Sequence, residues 1–239
     1  MCDMKMLVEK DVVRVLIGLI TLCVVSFLGI VYLLSALNHS MVYPDISVSD
    51  AFVVDPSRAV AAFLIPIATY FFVLVVVARL VRLYPYVFRA IDMWLFAFII
   101  LLLIVAFIGL MGVAAVPIDT QRTVHLVAAV MLFVGVGFLF IAFTLLDESI
   151  DLECSPTVRW YRIGLALLIF ATGVALAVTQ DLTEAAAAII EIVIILQGLA
   201  YTWSWTSASE FPIKSRSLPA RVSVMESERS NPPIYYVYY

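Results

Sequence analysis

The sequence predicts an all-α, polytopic membrane protein: a bundle of six transmembrane helices. Three observations carry that prediction. Of 239 residues, 64% are hydrophobic and only 13% are charged, and the mean hydropathy is +1.11. Six segments are apolar over about 20 residues, the length a helix needs to cross ~30 Å of hydrocarbon. Lysine and arginine gather on alternate connections between those segments. A soluble domain is about half apolar and about a quarter charged, and one of this size lacks the interior to hide such a surplus. Lipid must be the solvent for much of the chain.

The spans are expected at 14–37, 59–81, 92–116, 123–146, 161–179 and 185–206. Lys5 and Lys10 precede the first, so a cleaved signal peptide leaving five spans is the alternative. The apolar run from Val15 to Leu37 is longer than a signal core, and no small-residue cleavage site follows it. It is read as a retained span. The second and third outer connections are very short, which makes spans three and four, and five and six, antiparallel neighbours. Gly109 and Gly112, Gly135 and Gly137, and Gly164 and Gly173 let spans three to five pack closely. Trp203 and Trp205 are expected at the membrane interface, where amphipathic rings sit well.

Orientation follows from the basic residues. Of the 14 Lys and Arg, all but Arg58 and Arg122 fall on one side: the N-terminal segment, the second and fourth connections, and the C-terminal tail. The basic side is expected in the cytoplasm, so both termini face inward. Asp45, Asp50, Asp55, Asp119, Asp181 and Glu184 then face outward. The first outer loop, 38–58, holds Tyr43-Pro44-Asp45-Ile46-Ser47-Val48-Ser49-Asp50 and Asp55-Pro56-Ser57, residues that favour turns. Asn38-His39-Ser40 fits a glycosylation pattern but abuts the first span, and is expected to stay unmodified. Residues 207–239, rich in Ser and Pro with mixed charge and no periodic apolar face, are expected to be a disordered cytoplasmic tail.

A net charge of −4 and a pI near 5.1 argue against nucleic-acid binding. Cys2, Cys23 and Cys154 form no disulfide framework. Cys154 is read as a free thiol, with palmitoylation as the alternative. His39 and His125 are the only histidines, which excludes a bis-histidine multi-haem protein. No metal spacing and no nucleophile motif accompanies them; no metal and no cofactor are expected.

Glu191 is the most informative residue. It stands about seven residues into the last span, ~10 Å deep at ~1.5 Å per residue, where a carboxylate costs a few kcal/mol unless paired or protonated. Glu184 lies seven residues earlier near the same face, and Gln197 lies deeper. His125 opens the fourth span, with Arg122 three residues before it on one face. Short connections put these at one level, so Arg122, His125, Glu184 and Glu191 can cluster. Such a cluster either holds a lipid phosphate or sugar headgroup, with Arg122 as the phosphate ligand, or locks helices together without a ligand. At the C terminus, Pro232-Pro233-Ile234-Tyr235 fits Pro-Pro-x-Tyr, a WW-domain ligand; the plainer alternative is a tail end whose tyrosines touch the membrane.

These features together resemble the FRAG/DRAM/SFK family, with its CWH-type N-terminal domain. It includes damage-regulated autophagy modulators, a GPI-anchor lipid remodelling factor and yeast proteins linked to phosphoinositide signalling. The resemblance covers about 12–211. It rests on Tyr43-Pro44-Asp45-Ile46-Ser47 with Asp50 and Pro56, on Gly109-Leu110-Met111-Gly112, on Val124-His125 and the stretch to Phe133, and on Glu191, Tyr201, Trp203 and Glu210-Phe211. The loop departs from the family's compact Ile-Ser-Asp by reading Asp-Ile-Ser-Val-Ser-Asp. The resemblance implies a non-catalytic integral membrane factor in lipid homeostasis, autophagy or trafficking. Its partners would be membrane lipids, engaged by His125, Arg122, Glu191 and the Asp45–Asp50 loop; the Pro-Pro-x-Tyr motif, outside the resemblance, adds a WW-domain protein at the tail. It would reside in the Golgi, the lysosome or the plasma membrane. The alternatives are a GPI-anchor lipid remodelling enzyme or its cofactor, with His125 as acid or base, and a transporter or channel.

Overall fold

The computed structural model describes residues 2–37, 48, 55–87, 89–116, 118, 121–150, 155–178 and 184–206. Asn38, Asp45, Asp50, Cys154 and the tail with Pro232, Pro233 and Tyr235 lie outside the described residues.

Six long helices follow in order: α1 (Cys2–Leu37), α2 (Ser57–Leu83), α3 (Ala90–Ala115), α4 (Arg122–Ser149), α5 (Pro156–Val178) and α6 (Glu184–Ser204). All six are long and apolar enough to cross a membrane. Helix is the economical choice here, because hydrocarbon offers the backbone no partners and a helix satisfies its own N–H and C=O groups. Local sequence sets several ends. A single 3₁₀ turn, Tyr84–Tyr86, breaks α2 from α3 at Pro85. The Asp92 carboxylate reaches back to the Arg89 backbone N–H at 3.2 Å and closes the first turn of α3. Ser155 Oγ accepts the Val158 N–H at 3.3 Å, a cap just before Pro156, which needs no N–H partner at the first helical position.

The outer surface is greasy, with Leu22, Phe63, Trp94, Leu167 and Leu196 among the exposed side chains. In water such a surface would drive aggregation; in a bilayer it meets its solvent.

Helices adjacent in sequence are neighbours in space. The α3–α4 pair is the most extensive, α1–α2 and α4–α5 follow, and α2–α3 is looser. The sequence of pairs closes into a ring where α1 meets α6, and there the two helices barely touch. Two glycines make the tightest approaches possible. A Cβ on Gly109 of α3 would stand 2.5 Å from the Leu132 backbone nitrogen of α4, and one on Gly137 would stand 2.8 Å from Phe170 Cα of α5. Small residues let backbones meet this closely in lipid, where packing replaces hydrophobic drive.

The ends of α2, α4, α5 and α6 that carry Arg79, Asp147, Arg162 and Ser204 meet at one face, called here the basic face. Val48, the start of α4 and the end of α3 lie at the opposite, loop face.

Candidate functional site

At the loop face, Glu191 of α6 is buried, and its Oε2 accepts the backbone N–H of Val48 at 2.7 Å. Val48 packs in a cluster with Phe27, Val31, Ala61, Ile65, Val113 and Ala128, drawn from α1 to α4. Glu191 thus fastens Val48, in the connection between α1 and α2, onto the bundle. This hydrogen bond offsets part of the cost of burying the Glu191 carboxyl group at this depth.

His125 is also buried, at 1% exposure. Its Nδ1 stands 2.6 Å from the Val116 carbonyl at the end of α3. A carbonyl only accepts, so Nδ1 carries the proton and Nε2 of the neutral ring is an acceptor. Nε2 is buried and has no hydrogen-bond partner among the described residues. Arg122, one turn earlier, is exposed. Glu184 opens α6, and its side chain lies outside the described residues. Of the four candidates expected at this level, Glu191 and His125 are buried in the bundle on separate partners, and Arg122 is turned away from it. Gln197 meets Thr172 of α5 at 3.4 Å.

Beneath Glu191 runs a central cavity of about 210 Å³, partly open, lined by α1, α2, α3, α4 and α6. Its walls are apolar, with Phe27, Phe72, Phe107 and Phe140 among them, and Glu191 is the only charged residue among the described residues that line it. On α6 the lining runs from Glu191 to Thr202, about 16 Å at ~1.5 Å per residue. Left unfilled, a void of that volume would forfeit about 5 kcal/mol of packing, at ~24 cal/mol per Å³.

Below the cavity lies an aromatic layer. Tyr201 stacks on Phe140 with centroids 4.1 Å apart. The Tyr201 hydroxyl donates to the Phe140 carbonyl at 2.9 Å and meets Thr144 Oγ1 at 2.8 Å. Trp205 packs edge-on to both rings. Trp205 is buried, with its ring under the Arg79 guanidinium at 4.6 Å. Trp203 is 41% exposed.

At the basic face a buried ion network ties four helices. Arg79 Nη2 donates to both oxygens of Asp147 at 2.9 and 2.7 Å. Arg162 Nη1 donates to Asp147 Oδ2 at 3.3 Å, while its Nε and Nη2 donate to Ser204 Oγ at 2.9 Å and Ser204 O at 2.7 Å. Asp92, also buried, accepts from Arg89 Nε and Nη2 at 3.1 Å each and from Ser149 Oγ. Sequence reading used Arg79 and Arg162 only to orient the chain, and missed Asp147, Asp92 and the Tyr201–Thr144 pair. The signal was present: Arg79 falls inside an apolar stretch, and Asp147 and Arg162 stand at the same membrane edge.

The Frag1/DRAM/Sfk1/Cwh43P N-terminal domain model matches residues 12–212. The chain belongs to that family. The domain spans all six helices of this Frag1/DRAM/Sfk1 family member, so the cavity, Glu191, His125 and the ion network are features of the family domain in this chain. No curated protein and no solved structure matches the chain.

Proposed function

We propose that this protein is a non-catalytic integral membrane factor that serves membrane lipid homeostasis, autophagy or trafficking by engaging a lipid within its helix bundle. The observation that carries the reading is Glu191 set in the wall of an otherwise apolar cavity and bonded to Val48. Both termini lie in the cytoplasm on this reading, in keeping with the crowding of Lys and Arg on their side. The membrane is that of the Golgi, the lysosome or the cell surface, and Pro232, Pro233 and Tyr235 recruit a WW-domain protein there. The Asp45–Asp50 loop and Arg122 meet headgroups at the outer surface.

A second reading, a GPI-anchor lipid remodelling enzyme or its cofactor, is favoured by one observation: His125 Nε2 is buried with no hydrogen-bond partner among the described residues, which leaves that nitrogen open to a substrate. His125→Ala and Glu191→Gln separate the two when surface GPI-anchored protein and the abundance of the variant are measured together. Loss of remodelling at normal abundance in His125→Ala favours the enzyme. Loss of co-purified lipid in Glu191→Gln, with remodelling intact, supports the lipid-engaging factor. A lipid inventory of the purified wild type, free of any enriched species, would overturn the proposal.

A further inference from the structure

We infer that the central cavity holds one acyl chain of a bilayer lipid, admitted sideways between α1 and α6. The inference rests on the lipid-engaging reading above and specifies what occupies that site and how it arrives.

Size and length come first. The cavity volume is about 210 Å³, larger than the ~150 Å³ apolar void that stays dry and takes up benzene. Its run along α6 from Glu191 to Thr202 is about 16 Å at ~1.5 Å per residue. A lipid chain in one leaflet covers half of ~30 Å of hydrocarbon, so the two lengths agree.

Chemistry of the walls comes second. Among the described residues no lysine or arginine lines the cavity, so a phosphate drawn inside would find no counter-charge there and would face Glu191. Thr69 and Thr202 also line it, but their hydroxyls donate to carbonyls of their own helices, Ile65 at 2.7 Å and Leu199 at 2.8 Å. The surface left facing the void is hydrocarbon, matched by an aliphatic chain whose headgroup stays outside.

The route comes third. Every other neighbouring pair in the ring is packed more fully than α1 with α6. That seam is pinned beside the cavity on the basic-face side, where Trp203 Nε1 donates to Thr21 Oγ1 at 3.0 Å. On the loop-face side Glu191 holds Val48, which follows α1 in the chain. Trp203 is 41% exposed, so the pinned seam faces the surrounding lipid. A chain can slide between the two pins with no change of helix order.

The test uses the full chain in phosphatidylcholine nanodiscs doped with a phosphatidylcholine carrying a diazirine on its acyl tail. Gly198 lines the cavity, and a Cβ there meets nothing nearer than Phe140 Cε2 at 3.9 Å, so Gly198→Leu fills the void without a backbone clash. Photolabelling of wild type is expected at cavity residues such as Phe72, Leu103 and Ile194. In Gly198→Leu those labels should fall at least tenfold, while labels on outward residues such as Phe63 and Leu167 persist. The persisting outward labels and an unchanged melting temperature show that the variant is folded. Ala68→Leu, on the α2 wall, gives the same reading independently. Trp203→Ala should speed exchange of the labelled lipid several-fold. Cavity labels undiminished by Gly198→Leu, labels confined to outward residues, or capture of a photoactivatable sterol in place of the acyl probe would overturn the inference. If Gly198→Leu empties the cavity yet cellular lipid composition and surface GPI-anchored protein stay normal, the acyl-chain site stands and the functional reading falls.

Discussion

Arg79 and Asp147 are 68 positions apart in the chain, yet one arginine nitrogen, Nη2, reaches both carboxylate oxygens, at 2.9 and 2.7 Å. Arg162 shares the same carboxylate from α5. One acidic side chain therefore joins α2, α4 and α5, and through Ser204 the link continues to α6. All three charged residues are buried. Removing one member of such a set leaves an uncompensated buried charge, which costs about 3–5 kcal/mol.

Asp147→Asn should for that reason lower the unfolding temperature and the amount of protein recovered, with a loss in the range of about 3–5 kcal/mol. The amide keeps the volume, so the loss reports charge and not packing. Thermal unfolding in detergent checks this. A melting point within a degree of wild type would mean that Arg79 and Arg162 do not depend on Asp147.

Gly109→Leu should be among the most damaging changes to the α3–α4 contact. A Cβ at that position already falls 2.5 Å from the Leu132 nitrogen and 2.7 Å from the Ala128 oxygen, both backbone atoms that cannot swing aside. Overpacking of this kind typically costs about 1–3 kcal/mol, and a side chain reaching past Cβ adds to it. Gly164→Leu is the control, because nothing lies within 4 Å of a Cβ there. Equal melting temperatures for the two variants would contradict the packing.

The six-helix bundle was legible because long apolar runs allow a chain few other ways to live in lipid; α3, from Ala90 to Ala115, holds one charged residue, Asp92. Glu191 and His125 stood out for the same reason: a polar side chain in an apolar run has to be accounted for. Their partners were not legible. Val48 meets Glu191 through its backbone N–H, a group every residue but proline carries, across 143 positions. The Val116 carbonyl that meets His125 is equally anonymous. Arg122 and His125 share a spacing of three, but spacing fixes only an angle around the helix. Which side faces α3 was decided by Gly109 and Ala128, which bring the backbones of α3 and α4 together. The Arg79–Asp147–Arg162 network was hidden because charges near span ends read as orientation signals, and only the ring order of helices brings these three together.

Glu191→Ala should loosen Val48 from the bundle. The Val48 N–H loses its acceptor, and leaving a buried donor unsatisfied costs about 1–3 kcal/mol. In a Val48→Cys background, maleimide labelling in membranes should be slow, because Val48 is buried among Phe27, Val31 and Ala61. Adding Glu191→Ala should raise the labelling rate at least tenfold, whereas Glu191→Gln, which keeps an acceptor oxygen, should raise it less. Identical rates in all three proteins would show that position 48 is held by its apolar contacts alone.

Tyr201→Phe tests whether the layer between cavity and ion network is held by its hydroxyl or by its ring. The hydroxyl donates to the Phe140 carbonyl at 2.9 Å and lies 2.8 Å from Thr144 Oγ1. Thr144 also donates to the Phe140 carbonyl, at 2.8 Å, so deleting the tyrosine oxygen leaves neither the threonine nor the carbonyl without a partner. Because no buried group is orphaned, the cost should stay near the net value of an ordinary hydrogen bond, about 1 kcal/mol. The ring is a different matter: it stacks on Phe140 at 4.1 Å and packs against Trp205, which lies under Arg79. Tyr201→Ala removes that contact and opens a void between the cavity and Asp147, so its cost should be about 3–5 kcal/mol, as for other large aromatic truncations. Unfolding measurements on the two variants decide the point. If Tyr201→Phe proves as damaging as Tyr201→Ala, the hydroxyl, and not the stack, holds the layer between the cavity and the charged network.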